Sequence, residues 1–195
     1  MILPGHIIKE YVDQGLISIE PAFDPQQLRP FGLRVHLAPD VLVARSGQQV
    51  DLASEGADPP LFDEIDLRKG PLVLRRGEFV LASTIEAFRL SPSLICKLDG
   101  RSTIARIGLM VHCTAAVIDS NHGEHRSIVL ELANIGPFEI SLPSGIGIAM
   151  ATFEQVVGEA QLSLEQEQYR GQRGAVPPNL SFKVPRYAGG ETELP

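Results

Sequence analysis

Residues 98–119 read "LDGRSTIARIGLMVHCTAAVID", and the whole chain is best read outward from them. Gly100 and Gly108 bracket a segment long enough for about two helical turns. If it is helical, Ser102 and Arg106 stand four residues apart on one face. Arg101 and Ser102 then lie at its start, where unpaired backbone N–H groups and the helix dipole favour an anion. Arginine adds a planar fork of donors that matches a phosphate. On spacing alone, a Ser N-cap beside two solvated arginines is the plainer reading. The apolar run that follows reads as strand and ends on an aspartate, Asp119.

The surrounding chain has 195 residues, 44% of them apolar, enough for one substantial core. Its start, "MILPGHIIKE", has no basic region ahead of a sustained apolar run. No window approaches the roughly 18 apolar residues of a membrane helix. Neither secretion nor membrane spanning is expected, and the cytoplasm is the expected compartment. The two cysteines, Cys96 and Cys113, lie in strand-like apolar segments without a CxxC partner. They are expected to be buried free thiols. A formal charge of −7 argues against a broad nucleic-acid surface. An anionic ligand would then be met by a few placed arginines or a metal ion.

Helical periodicity is confined to "GHIIKEYVDQG", with Ile7, Ile8 and Tyr11 on one side and Gly15 as the stop. Beyond it come short runs rich in Val, Ile, Leu and Phe, such as "GPLVLRRGEFVLAST", "RSIVLELANIG" and "IGIAMATFEQV". Gly, Pro, Asn, Asp and Ser separate them at intervals that suit an all-β sandwich, jelly roll or barrel. Residues 46–65 read as a surface excursion. The last stretch, from Arg170 on, reads as an extended tail without a core of its own.

Within "HRSIVLELANIG", alternation puts Ile128, Leu130 and Leu132 on one face and Ser127, Val129, Glu131 and Ala133 on the other. A mid-strand carboxylate among apolar residues is either solvent-facing or, in a protected pocket, a candidate general base or acid. "HGE" at His122–Glu124 fits half of the zinc nucleoside-deaminase signature, which also needs a downstream PCxxC. No cysteine follows Cys113. His122, Glu124 and His125 are therefore expected in an exposed loop, and zinc is not expected.

Taken together, these stretches resemble the dCTP deaminase branch of the dUTPase-like superfamily. "DGRSTIARIGLMVHCTAAVID" is close to that family's GRSSxARxGLxVHxTA…ID signature. "IEPAFDPQQLRPFGLRVHL" looks like its FDPxQLQPxSxDLRLG opening and "QYRGQRGAV" like its closing KYxxQxG, the three blocks spanning roughly residues 18–176. The resemblance implies an all-β distorted jelly roll, or β-clip, with a short N-terminal helix and one short helix at the active-site turn. It implies a domain over 1–176 and an extended tail over 177–195. It also implies a homotrimer with active sites between subunits, no partner membrane or nucleic-acid polymer, and dCTP or dUTP as ligand.

The implied reaction is zinc-independent deamination of dCTP to dUTP and ammonia, with Mg²⁺ accompanying the triphosphate. The family's catalytic Glu falls on Glu131, its water-positioning Ser on Ser102 and its transition-state Arg on Arg106. Arg101 and Thr103 join the substrate contacts, and the main chain at Ala115 would help hold water and base. Asp119 would bond the sugar 3′-hydroxyl, and Val129 and Leu130 would offer backbone groups to the ring. Tyr169 and Gln172 would close over the phosphates.

Three departures stand out. Where relatives read IDPGWxG, this chain has "IDSNHGEHRS"; Gly32 stands where the family's opening block carries Asp, a change expected to be local to trimer or turn packing; and Gln168 replaces a phosphate-touching Lys. Loss of such a charge weakens binding by roughly 1 to 3 kcal/mol, which Arg170 or Arg173 could offset. Two other functions stay open: dUTP diphosphatase activity, alone or coupled to deamination so that dCTP yields dUMP, and nucleotide binding without turnover.

Overall fold

In the computed structural model, which describes residues 1–52, 60–119, 124–160, 169 and 171–180, helix α1 spans Gly5–Asp13. Ile8 is fully buried, and Ile7 and Tyr11 pack on the same core, as spacings of three and four dictate. Gly15 ends the helix at a φ of 74°, a conformation unstrained only without a Cβ.

Apart from two 3-10 turns, Pro25–Gln27 and Leu67–Lys69, the regular structure that follows is strand, in the order β1 (Ile17–Glu20), β2 (Leu28–Arg29), β3 (Gly32–His36), β4 (Asp40–Ala44), β5 (Phe62–Asp66), β6 (Leu72–Leu74), β7 (Phe79–Leu90) and β8 (Leu94–Gly100). Helix α2 (Ser102–Ala105) interrupts, before β9 (Leu109–Met110), β10 (Val117–Ile118), β11 (Arg126–Asn134), β12 (Ile140–Leu142) and β13 (Gly147–Gln155). One sheet runs β5-β4-β7-β11-β9 with β1 also on β7, a second runs β10-β8-β13-β3-β2, and β12 pairs β6. This is the all-β, jelly-roll-like architecture expected from the strand spacing.

The core lies between the two large sheets. Every second residue of β8, and of β13 along Ala149–Phe153, is buried, including Leu94, Cys96, Leu98, Ala151 and Phe153. From the opposite sheet come Val80, Phe88, Leu130 and Leu132. Phe88 and Phe153 meet across the gap with ring centroids 5.9 Å apart at 52°, a tilted packing that adds to the burial itself.

Several expectations change. The run Ile107–Asp119 is not one strand: β9 leaves the sheet after Met110, and a loop through 111–116 intervenes before β10. Buried Val111 keeps the start of that loop apolar, and its carbonyl takes one last backbone bond from β11, the Glu131 N–H at 3.1 Å. Residues 46–65 are not wholly an excursion, because Phe62–Asp66 form edge strand β5 on β4. Cys96 is buried as expected, but Cys113 is exposed, and both are free thiols.

Candidate functional site

The site begins with β11, which pairs β7 along most of its length and β9 at its far end. The pairing with β7 shifts register between Ser127 and Val129. At that shift Thr84 accepts a hydrogen bond from the Ile128 N–H at 3.0 Å and donates its own to the Glu86 carbonyl at 2.6 Å. Such a bulge re-aims the side chains beside it. Arg126, Val129 and Glu131 all come to line one cavity.

That cavity has a volume of about 470 Å³, within the usual range for a small-molecule site. Phe79 and Leu81 of β7 and Phe62 of β5 give it apolar lining, joined by Ala115 and Val117–Asp119. Tyr169, Gln172, Val176 and Pro178 cover it from the C-terminal segment. The Ser127 N–H donates to the Gln172 carbonyl at 3.1 Å, which lays this segment along β11. Arg173 fastens it further through an ion pair with Glu20 of β1 at 2.9 Å. The arginine's hydrogen bond is the main reason the Glu20 carboxyl sits below its usual pKa.

Glu131 is half-buried in the cavity, and its Oε2 accepts the Cys113 backbone N–H at 2.7 Å. The Glu131 N–H in turn donates to the Val111 carbonyl at 3.1 Å. Partial desolvation at the cavity rim, with the Glu131 carboxylate adding, pushes the exposed Cys113 thiol above its usual pKa. At neutral pH it is therefore a thiol and not a competing nucleophile.

The predicted residues divide into two groups. Ala115, Asp119, Val129, Glu131, Tyr169 and Gln172 share the cavity. Ser102, Thr103 and Arg106 do not line it; they are exposed on and just after α2. That helix is one turn, not two, with Arg101 as its N-cap residue and Arg106 as its C-cap. Ser102 is thus inside the helix and is not its cap, although the Arg106 N–H does return to the Ser102 carbonyl at 3.1 Å. Arg101 is half-buried, with its Nη1 donating to the Gly147 carbonyl. Leu130 is wholly buried in the core and does not line the cavity.

The α2 turn is fixed from behind by a pair of glycines. A Cβ on Gly108 (φ 89°) would strike Gly136, and one on Gly136 would strike the Ile107 carbonyl. The close approach lets the Ile135 N–H reach the Gly108 carbonyl at 2.9 Å.

Arg126 is the residue that sequence reasoning missed. It is the one cation among the described residues lining the cavity, and its Nη2 lies 3.4 Å from the Asp119 carbonyl. Strict alternation assigns it to the core face with Ile128; only the register shift turns it toward Glu131. His125 also differs from expectation. Glu124 is exposed, but the His125 ring is only 16% exposed and lies 2.9 Å from Ser18 Oγ and 3.3 Å from the Glu20 carboxylate. Burial, only partly offset by Glu20, lowers its pKa. His122, Gln168 and Arg170 lie outside the described residues. No helix among the described residues is long and apolar enough to cross a membrane.

Residues 2–156 match the family described as dCTP deaminase-like. A Dictyoglomus thermophilum protein named "dCTP deaminase, dUMP-forming" is 32% identical over 93% of this chain and 96% of its own length. A Natronomonas pharaonis protein named "dCTP deaminase" is 32% identical over 89% of this chain and 92% of its own. The crystal structure of 2′-deoxycytidine 5′-triphosphate deaminase from Agrobacterium tumefaciens matches with a TM-score of 0.60 and 18% identity. That match covers 80% of this chain and 48% of the other, and the likeness is one of fold.

Proposed function

This chain belongs to the dCTP deaminase-like family, and from that premise we propose that it deaminates dCTP and carries the product through to dUMP. The observation that carries the reading is the near full-length similarity to a relative named as dUMP-forming. The simpler expectation, a deaminase that stops at dUTP, has the Natronomonas relative on its side. The coupled reaction is better supported, because the name "dUMP-forming" recurs among relatives from Methanothermobacter thermautotrophicus and Corynebacterium efficiens.

In this reading the cavity takes the base and sugar. Glu131, oriented by the Cys113 N–H, takes a proton from water as it adds to C4 of cytosine and returns it to the departing amine. General acid–base transfer of this kind is worth about 10² to 10⁴ in rate. The Ala115 main chain and Ser102 would hold the water, and Asp119 the sugar hydroxyl. Backbone groups of Val129 and Leu130 would read the ring. No zinc is called for in this chemistry. Overall, dCTP and two waters give dUMP, ammonia and pyrophosphate, with Mg²⁺ arriving on the triphosphate as part of the substrate.

Ser102, Thr103 and Arg106 need a route to the cavity they do not line. A homotrimer supplies it, with the exposed α2 turn of one subunit completing the cavity of the next. Arg101 and Arg106 would then face the phosphates, and Tyr169 and Gln172 would close over them.

Incubation of the purified protein with dCTP and Mg²⁺, an ammonia assay and ion-exchange separation of nucleotides test the proposal. Ammonia with dUMP and pyrophosphate is the expected result. Accumulating dUTP would reduce it to deamination alone, and no ammonia would refute it.

A further inference from the structure

Outside the cavity, three arginines gather on the second sheet around the start of β13. Arg29 ends β2, Arg34 lies in β3, and Arg101 follows β8; all are half-buried. Arg34 and Arg101 both pass close to Gly147, at the start of β13. The Arg34 Cδ and the Arg101 Nη1 would lie 2.6 Å and 3.2 Å from a Cβ built there. Glycine at this position is what leaves room for the two side chains to come together.

None of the three is ion-paired with a carboxylate among the described residues. Arg34 Nε is buried and has no hydrogen-bond partner. Asp99, in register across Met150 on the same sheet, turns its Oδ1 to its own neighbour's N–H, that of Gly100, at 2.8 Å. Burial, then the charges of Arg29 and Arg101, hold the Arg34 guanidinium below its usual pKa. A lysine or histidine in such a place could shed its proton, but a guanidinium keeps its charge in proteins. What relieves a buried, unpartnered donor among like charges is an anion.

We propose that Arg34, with Arg29 beside it, extends the Arg101 corner into a three-arginine cradle for the terminal phosphates of a nucleoside triphosphate. The assignment rests on the nucleotide reading above and deepens it. Arg101 links the cradle to the α2 turn, so the polyphosphate would run from the turn toward the β2–β3 hairpin. A rigid strand position suits a donor that must discriminate a triphosphate from shorter phosphate chains, since the fork is held in place before binding.

Calorimetry on the full chain decides it, with inorganic tripolyphosphate and deoxycytidine as separate probes. In R34Q, tripolyphosphate affinity is expected to fall by about tenfold to a hundredfold, the usual weight of a charged hydrogen bond. Deoxycytidine binding should stay within about twofold, since the nucleoside carries no phosphate. Unchanged tripolyphosphate affinity would overturn the cradle. Should R34Q fail to reach the native circular dichroism spectrum, the unaltered chain is read instead by ¹⁵N NMR of its arginine Nε–H signals. A tripolyphosphate-dependent shift at Arg34 then supports the cradle, and its absence overturns it. The two readings fail separately. Arg34-dependent tripolyphosphate binding without ammonia release from dCTP sinks the deaminase and leaves the cradle; deamination with Arg34-independent binding does the reverse.

Discussion

The Glu131 carboxylate and the Cys113 backbone N–H are 2.7 Å apart, so a side chain of β11 takes the hydrogen bond that another strand would have taken. One ladder bond earlier, the Glu131 N–H still reaches the Val111 carbonyl. Beyond it the loop 111–116 peels away, which opens the side of the cavity lined by Ala115 and leaves Glu131 anchored there.

E131Q is the first variant to make. The amide keeps the shape and can still accept the Cys113 N–H through its oxygen, but it cannot take a proton from water. Ammonia release should fall by about 10² to 10⁴, with the thermal midpoint close to that of the unaltered protein. A variant of near-full activity would remove Glu131 from the role of base.

How much of this was legible beforehand depends on whether local patterning and long-range pairing agree. They agree in β8 and along Ala149–Phe153 of β13, where alternation marks the buried face, and in α1, where Ile7, Ile8 and Tyr11 do the same. They disagree along Ile107–Asp119: the run stays apolar because Val111 fills the core, yet strand β9 ends at Met110 and the last backbone bond to β11 is the one at the Val111 carbonyl. Edge strand β5 was hidden because its "FDEID" is mostly exposed and charged. Arg126 was hidden by a register shift that only the partner strand β7 imposes. Arg34 sits in the unremarkable run "GLRVH", and its neighbours Arg101 and Gly147 are brought to it by β8 and β13. A single sequence carries the periodicity of a strand but not the identity of its partners.

Arg126 should matter for affinity. As the one cation among the described lining residues, it faces whatever negative or carbonyl oxygen the ligand brings. R126M, which keeps much of the stem, should raise KM for dCTP by about tenfold to a hundredfold, the range for one charged hydrogen bond. A KM within twofold would assign the arginine to the Asp119 loop alone.

The glycine pair behind α2 gives a test of architecture. A methyl group on Gly136 would strike the Ile107 carbonyl, and backbone cannot move aside as a flexible side chain can. G136A should lose about 1 to 3 kcal/mol of stability by overpacking in denaturant unfolding. Activity measured well below the unfolding midpoint should fall more than stability explains, because the shift displaces the α2 turn. Stability equal to that of the unaltered chain would mean that the two segments can part without cost.

The contacts around β1 set the pH dependence, in two separate windows. His125 is held below its ordinary pKa of 6.5, first by burial, so the folded protein disfavours the charged ring. Its contribution is fully present above about pH 6.5 and is lost as pH falls from there through the lower folded value. Glu20 is depressed below 4.5, first by its hydrogen bond from Arg173. That contribution is present above pH 4.5 and is lost only as pH falls further, through the folded value. Thermal midpoints taken from pH 7.5 downward should therefore begin to drop near 6.5 in the unaltered chain. In H125N, where nothing titrates at that position, the drop should be displaced toward the carboxylate range. Because Glu20 also holds Arg173, the second window should coincide with rising KM as the C-terminal segment releases the cavity. Identical midpoint curves for H125N and the unaltered chain would show that the His125 ring is not protected from protonation by folding.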